Sequence, residues 1–186
     1  HIAYQSAYLK AHYAPEFIAG VLSNQPMGYY PSRTLIEDAK RLGIPILRVD
    51  VNRSEVQYTT EKGAIRIGLI QVQNLAERSK DEIVAERQRH GPYLSVIDLC
   101  RRVRVDRDSL ENLILAGALD ELPAYGEEPP HQYLELPSGV TDLHRPIRMR
   151  SDVLLHRRRL LWMLPFLLRA ADRGDGNQLI LPDLES

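Results

Sequence analysis

The stretch "VQNLAER", Val72 to Arg78, places a polar turn, Gln73-Asn74-Leu75-Ala76, directly ahead of a helical pattern that carries Ile83, Val84 and Arg87. Such a turn has two possible uses. It reverses the chain between packed helices, or it offers the unpaired N–H groups of the following helix, at the positive end of the dipole, to an anion such as phosphate. Farther along, Arg101, Arg102, Arg104 and Arg107 cluster, whereas Glu111 to Glu135 contains no Lys or Arg. A run of this kind is ordinarily a solvated face; opposite a nucleic acid it is a row of phosphate contacts. Arg157-Arg158-Arg159 forms a second cluster, read as the exposed side of a helix.

Catalytic spacing is missing from the same sequence. Metal-assisted phosphoryl transfer needs carboxylates that hold two metal ions. Asp50, at the end of a β-branched run, is followed by Asn52 and not by a second acid. The histidines, at 1, 12, 90, 131, 144 and 156, have no ligand spacing such as His-x-x-x-His, and no Ser/His/Asp set can be assembled. We therefore assign no catalytic residue, no metal ligand and no cofactor. The single cysteine, Cys100, excludes an internal disulfide and a cysteine metal cage, and fits a reducing compartment.

The elements that must position the turn and the arginines follow from periodicity. Ala3, Tyr4, Ala7, Tyr8 and Ala11 recur at helical spacing until Pro15, which opens a second helix carrying Phe17, Ile18, Val21 and Leu22. "NQPMGYYPS" interrupts the pattern. A third helix runs from about Ser32 to Leu42, with Leu35, Ile36, Ala39 and Leu42 on one stripe and Gly43 at its end. "IPILRVDV" and "VQYTTEKGAIRIGL" are rich in β-branched residues, and "EKG" turns the chain, so 45–69 reads as a β-hairpin or connector.

Helices return from 68. Leu69, Val72 and Leu75 precede the opening turn. "GPYLSVIDLCRRV" starts another helix near Pro92, with Leu94, Ile97 and Val103 inward. "DRDSLENLILAGALDEL" supplies one more, its core face Leu110, Leu113 and Ile114, ending in a tight turn at Ala116-Gly117-Ala118. Residues 123–150 carry five prolines and read as a linker or insertion. The span 151–186 is a helix capped by Ser151, with Val153, Leu160, Leu161, Leu164 and Trp162 inward, followed by a tail. The fold class is mainly α with a small β-hairpin or connector.

At 186 residues the chain can bury one good core or two small ones. Its 24 basic and 25 acidic residues leave a formal charge of -1, so any nucleic-acid surface must be local. No apolar run approaches the roughly 20 residues of a membrane helix, and the opening residues lack the basic and apolar regions of a signal peptide. A soluble, cytoplasmic protein without a membrane partner is expected. The abrupt start inside a helical pattern suggests a fragment of a longer chain.

The blocks "AYQSAYLKAHYAPEF", "DAKRLGIPIL", "DVNRSE", "GAIRIGL", "IVAER…GPYLSVIDLCRRV" and "LENLILAGALDEL", in this order, resemble the bacterial C-family DNA polymerases, the alpha subunit of DNA polymerase III and its error-prone relatives. "NQPMGYYPSRTLIEDAKRLGI" and "VQNLAER" are more similar to the error-prone branch. The resemblance covers roughly 3–122. It implies that 1–44 end the fingers, 45–69 form a β connector, and 68–122 form a tandem helix-hairpin-helix module that holds duplex DNA behind the active site. The first hairpin is then Gln73, Asn74, Leu75 and Ala76, with Arg78 and Lys80 just beyond; the second is "LAGAL", which keeps Gly117. Family hairpins carry glycines where this chain has Asn74 and Ala76. Asn enters the left-handed region better than any residue but glycine, whereas Ala does not. Glu77 adds negative charge nearby.

With the resemblance, Arg101, Arg102 and Arg104 become candidates for backbone contacts that carry no base information. The family's catalytic aspartates lie upstream of residue 1. The resemblance thus implies a fragment that binds DNA without a cofactor, inside a parent DNA-directed DNA polymerase that uses Mg²⁺ in replication, repair and translesion synthesis. "QLILPDL" is similar to the peptides with which polymerases grip the sliding clamp, but lacks the terminal aromatic. The clamp or another polymerase-associated protein is thus a second expected partner. The competing reading is a helical protein-interaction scaffold in which both hairpins only turn the chain.

Overall fold

Pro15 falls in the first turn of the second helix, where a missing N–H costs nothing, and the chain around it folds as two consecutive helices, α1 (Ile2–His12) and α2 (Ala14–Ser23). A computed structural model of the chain describes residues 2–25, 31–125 and 150–172. The third helix, α3 (Ser32–Arg41), ends before Gly43, whose φ of 75 lies in the left-handed region. Ile18, Ala19 and Leu22 of α2 pack with Ala39, Ile44, Tyr58 and Ile65 into the smaller of two cores. The repeat of Ala3, Tyr4, Ala7, Tyr8 and Ala11 is helical as its spacing predicts, with Tyr4 76% exposed and Tyr8 exposed with it. Leu42, just beyond α3, is exposed as well.

A three-stranded sheet follows, with β1 (Ile46–Leu47), β2 (Thr59–Glu61) and β3 (Ala64–Arg66) in the order β1-β3-β2. β2 and β3 pair antiparallel, Thr60 opposite Ile65, and are joined by Lys62 (φ 52) and Gly63 (φ 78). Two successive left-handed residues match the twist of a tight hairpin, so "EKG" turns the chain as its composition implies. β1 adds in parallel, Ile46 against Ile65, and makes the hairpin a sheet. Where the chain leaves this sheet, Gly68 passes so close to the backbone of Gln57 that a Cβ would overlap it. Leu69 N–H and Ile70 N–H donate to Glu55 and Val56 carbonyls, both at 2.9 Å, and hold the crossing.

The larger core joins Val49, Val51, Leu69, Val72 and Leu75 to four helices: α4 (Glu77–His90), α5 (Val96–Arg102), α6 (Arg107–Ala116) and α7 (Arg150–Asp172). Leu69, Val72 and Leu75 are buried as their spacing predicts, but only Leu69–Gln71 is helical, as a single 3₁₀ turn. Leu94 is 73% exposed and not inward. Ser95 is the extended N-cap of α5, so Leu94 precedes the helix and lies outside its periodicity. Ser151 falls inside α7 and not ahead of it. Trp162 is 51% exposed, because Leu160, Met163, Leu164 and Leu167 occupy the side of α7 that packs on α5 and α6. Val153 and Leu161 are half-buried.

Of the stretch 123–150, the first residues line α5: Pro123 and Ala124 carbonyls accept from Val96 N–H (2.9 Å) and Ile97 N–H (3.3 Å). Residues 126–149, and the tail from 173 with "QLILPDL", lie outside the described residues.

Candidate nucleic-acid interface

Val72 and Leu75, both buried, pin the two sides of the first turn and leave Gln73 and Asn74 exposed between them. Asn74 has a φ of 53, the left-handed conformation this residue tolerates best after glycine. Ala76 is extended (φ -59, ψ 141) and is the N-cap of α4, with no side-chain hydrogen bond. The departure from glycine at Ala76 therefore falls where any residue fits. An alanine N-cap accepts nothing from the first-turn N–H groups of α4, and a 14-residue helix concentrates partial positive charge there. Ala76 and Arg78 are exposed beside that terminus.

Lys80 is placed otherwise than a phosphate ligand needs. Its side chain is 6% exposed and its Nζ donates to Glu77 Oε1 at 2.6 Å. The pair is intrahelical, i to i+3, so the charge of Lys80 offsets Glu77 and does not point into solvent.

Gly117 is also in a different role. It is buried and left-handed (φ 81, ψ 18), the C-cap of α6, with its N–H on the Ile114 carbonyl at 3.0 Å. This is the negative end of a helix dipole, and only turns follow it as far as Tyr125. No helix start stands there to hold an anion. Asp120 and Arg157 crowd the glycine, and a Cβ at 117 would collide with the Arg157 guanidinium.

The second helix-hairpin-helix is instead α5, Val103 to Asp106, and α6. Val103 and Val105 are buried with Arg104 exposed between them, so buried residues flank this turn as they do the first, without a left-handed residue such as Asn74. Asp106 caps α6, its carboxylate accepting from Ser109 N–H at 3.4 Å. The hydrogen bond from the Ser109 side chain, with help from backbone N–H groups, holds the Asp106 carboxyl below its ordinary value. An aspartate ahead of "RDSL" is an N-cap signature, which was the signal for this hairpin in the sequence.

The arginine run divides. Arg101, Arg104 and Arg107 are exposed around the α5–α6 hairpin. Arg102 turns inward: it donates to the carbonyls of Glu86 (2.9 Å), Gly91 (2.9 Å) and Pro92 (3.3 Å) and to Asp98 Oδ2 (3.3 Å). Its guanidinium lies over the Tyr93 ring at 4.4 Å. Tyr93 in turn donates its hydroxyl to the Ile83 carbonyl at 2.8 Å, and its backbone exchanges two bonds with the Asn52 amide, at 2.9 and 2.7 Å. Arg87 ties α4 to the connector through the Val51 and Ser54 carbonyls and Glu55 Oε1. These contacts set the two hairpins on one rigid support.

Two exposed hairpins, each pinned by buried apolar residues and each opening a helix, define the helix-hairpin-helix class. A family model described as a helix-hairpin-helix motif matches residues 43–127. The chain is 41% identical over 123 residues to an error-prone DNA polymerase of Nocardia farcinica, covering 65% of this chain and 11% of that protein. It is 41% identical over 145 residues to the error-prone DNA polymerase of Symbiobacterium thermophilum (64% and 13%). To the DNA polymerase III subunit alpha of Thermus aquaticus it is 40% identical over 129 residues (68% and 10%). Over these residues the chain is homologous to the bacterial C-family DNA polymerases, the error-prone branch among them. It spans about a tenth of the length of the curated relatives it matches.

Proposed function

We propose that this chain grips the sugar-phosphate backbone of duplex DNA, independent of sequence, as one part of a longer error-prone DNA-directed DNA polymerase. The observation that carries this reading is the exposed left-handed turn at Asn74 leading into a helix start without a side-chain cap, within the helix-hairpin-helix match. In the first hairpin Gln73, Asn74, Ala76 and Arg78 approach phosphate; in the second, Arg101, Arg104 and Arg107 do so. Lys80, Arg102 and Gly117 act through the fold and not by contact. Phosphate contacts position a duplex and do not read it, which suits an enzyme that must pass over any sequence.

Nucleotidyl transfer by the parent protein would draw on Mg²⁺ held elsewhere. Asp50 accepts the Asn52 N–H at 2.7 Å in a local turn, and no group of three or more His, Cys, Asp or Glu is placed to hold a metal ion among the described residues. No helix among them is long and apolar enough to cross a membrane.

Glu77, Asp106 and Asp108 put negative charge at both helix starts, which favours the scaffold reading, and salt dependence separates the two. The test is fluorescence anisotropy of a labelled duplex at two or more salt concentrations. Arg78→Ala and Arg104→Ala should each weaken binding about equally for all sequences and lower the slope of log affinity against log salt by roughly 0.9. A wild-type chain that binds no duplex at low salt, or variants with unchanged slope, would leave the hairpins as turns.

A further inference from the structure

The outward side of α7 has a composition that packing does not explain. Leu155, Arg159, Trp162, Phe166 and Arg169 recur every three or four residues, with Arg158 beside them, on a side of the helix separate from the buried Leu160, Met163, Leu164 and Leu167. Leu155 and Trp162 are exposed, Phe166 is half-buried, and the Trp162 and Phe166 rings lie 6.0 Å apart with planes tilted by 34°. Arg158, Arg159 and Arg169 are exposed around the rings. From Val153 to Ala171 the helix has no acidic residue.

We propose that this face binds single-stranded DNA, with bases stacked on Trp162 and Phe166 and phosphates against Arg158 and Arg169. An apolar partner groove would bring no counter-charge to the exposed Arg158 and Arg169, whereas a strand with unpaired bases meets both features: every base has a π-face and every linkage a negative charge. Bases inside a duplex have their faces covered by their neighbours, so the rings select unpaired nucleotides. The assignment to DNA rests on the reading of the hairpins given above. α7 packs on α5 and α6 and shares their core, so a strand unpaired at the end of the gripped duplex has this face close at hand.

Trp162 is the only tryptophan in the chain, so its emission reports on this site alone. The intact chain is titrated with oligothymidylate. Saturable quenching of Trp162 is expected, with affinity falling as salt rises. The double variant Arg158→Ala/Arg169→Ala should flatten that salt slope by roughly 1.4, two single-strand phosphate contacts. By anisotropy of a labelled oligonucleotide, Trp162→Ala should weaken binding about tenfold while Trp162→Phe keeps most of it. The proposal is overturned by no quenching, by quenching indifferent to the arginines, or by tighter binding of oligouridylate. It is also overturned by quenching with phosphatidylglycerol vesicles but not DNA, or by a DNA-free, concentration-dependent blue shift of Trp162 with dimer formation in sedimentation. Duplex titrations of Arg78→Ala and Arg104→Ala run beside it keep the two readings apart. Duplex binding without quenching removes only the α7 site; quenching without duplex binding removes only the hairpin reading.

Discussion

Arg102 and Arg104 stand two positions apart and do opposite work. Arg102 satisfies three backbone carbonyls and a carboxylate at the meeting of α4 and α5, and its side chain is only 16% exposed. Its removal strands those acceptors, and Arg102→Ala should cost about 3 kcal/mol by urea denaturation. Arg104→Ala, on an exposed hairpin, should stay within about 0.5 kcal/mol of wild type while changing the salt dependence of binding. At the first hairpin Asn74→Gly should leave stability and duplex affinity unchanged or improved, since glycine adopts the same φ without strain. Asn74→Val should lose about 1–2 kcal/mol, because a β-branched residue resists that region. Burial pushes the Cys100 thiol up to about 12, so it should stay unreacted with thiol reagents until the chain unfolds.

At the scale of elements, α6 is held by a cap at each end, and both caps are testable. Asp106→Ala should cost about 1 kcal/mol, whereas Asp106→Asn keeps a capping oxygen and removes a negative charge beside the hairpin, so it should bind duplex more tightly. The pH dependence has a definite sign. The folded-state pKa of Asp106 is depressed from 3.8, so the stability it contributes is present above that value and is lost as pH falls through the lower, folded value. The acid limb of a urea-midpoint profile should therefore be shallower for Asp106→Asn. At the other end, Gly117→Ala should cost about 1–2 kcal/mol for the left-handed backbone alone, and the Arg157 contact adds to it. These caps were partly legible: "AGA" marked the end of α6. "LAGAL" nonetheless looked like a hairpin before a further helix, because a glycine looks the same in sequence at a helix end and in a turn.

For the whole molecule, α7 closes the larger core from across a long gap in sequence. Leu160, Met163, Leu164 and Leu167 are buried against α5 and α6, and Arg157 forks onto Asp120 through Nε–Oδ1 (2.7 Å) and Nη2–Oδ2 (2.5 Å). Leu164→Ala should cost about 2–5 kcal/mol. Because Val72, Leu75 and the hairpin valines share that core, it should weaken duplex binding near the unfolding midpoint without touching the interface. Thermal melting and DNA anisotropy measured on the same samples check this coupling.

Local chemistry was enough for much of this. The β-branched run, "EKG", Pro15, and the core faces of α2 and α6 follow from backbone preferences and from periodicities that act over a few residues. The blocks shared with C-family polymerases are likewise a property of order along the chain. Which way Arg102, Lys80 and Trp162 point was not determined at that range. "RRVR" is a uniform run of charge until Tyr93 and the carbonyls at the end of α4 take one arginine out of it. "LLWML" is apolar around the whole helix, so only the packing of α7 on α5 and α6 selects Leu160, Met163 and Leu164 for the core and leaves Trp162 in solvent. A side chain's direction is set by what lies opposite it, and that neighbour comes from a distant part of the chain.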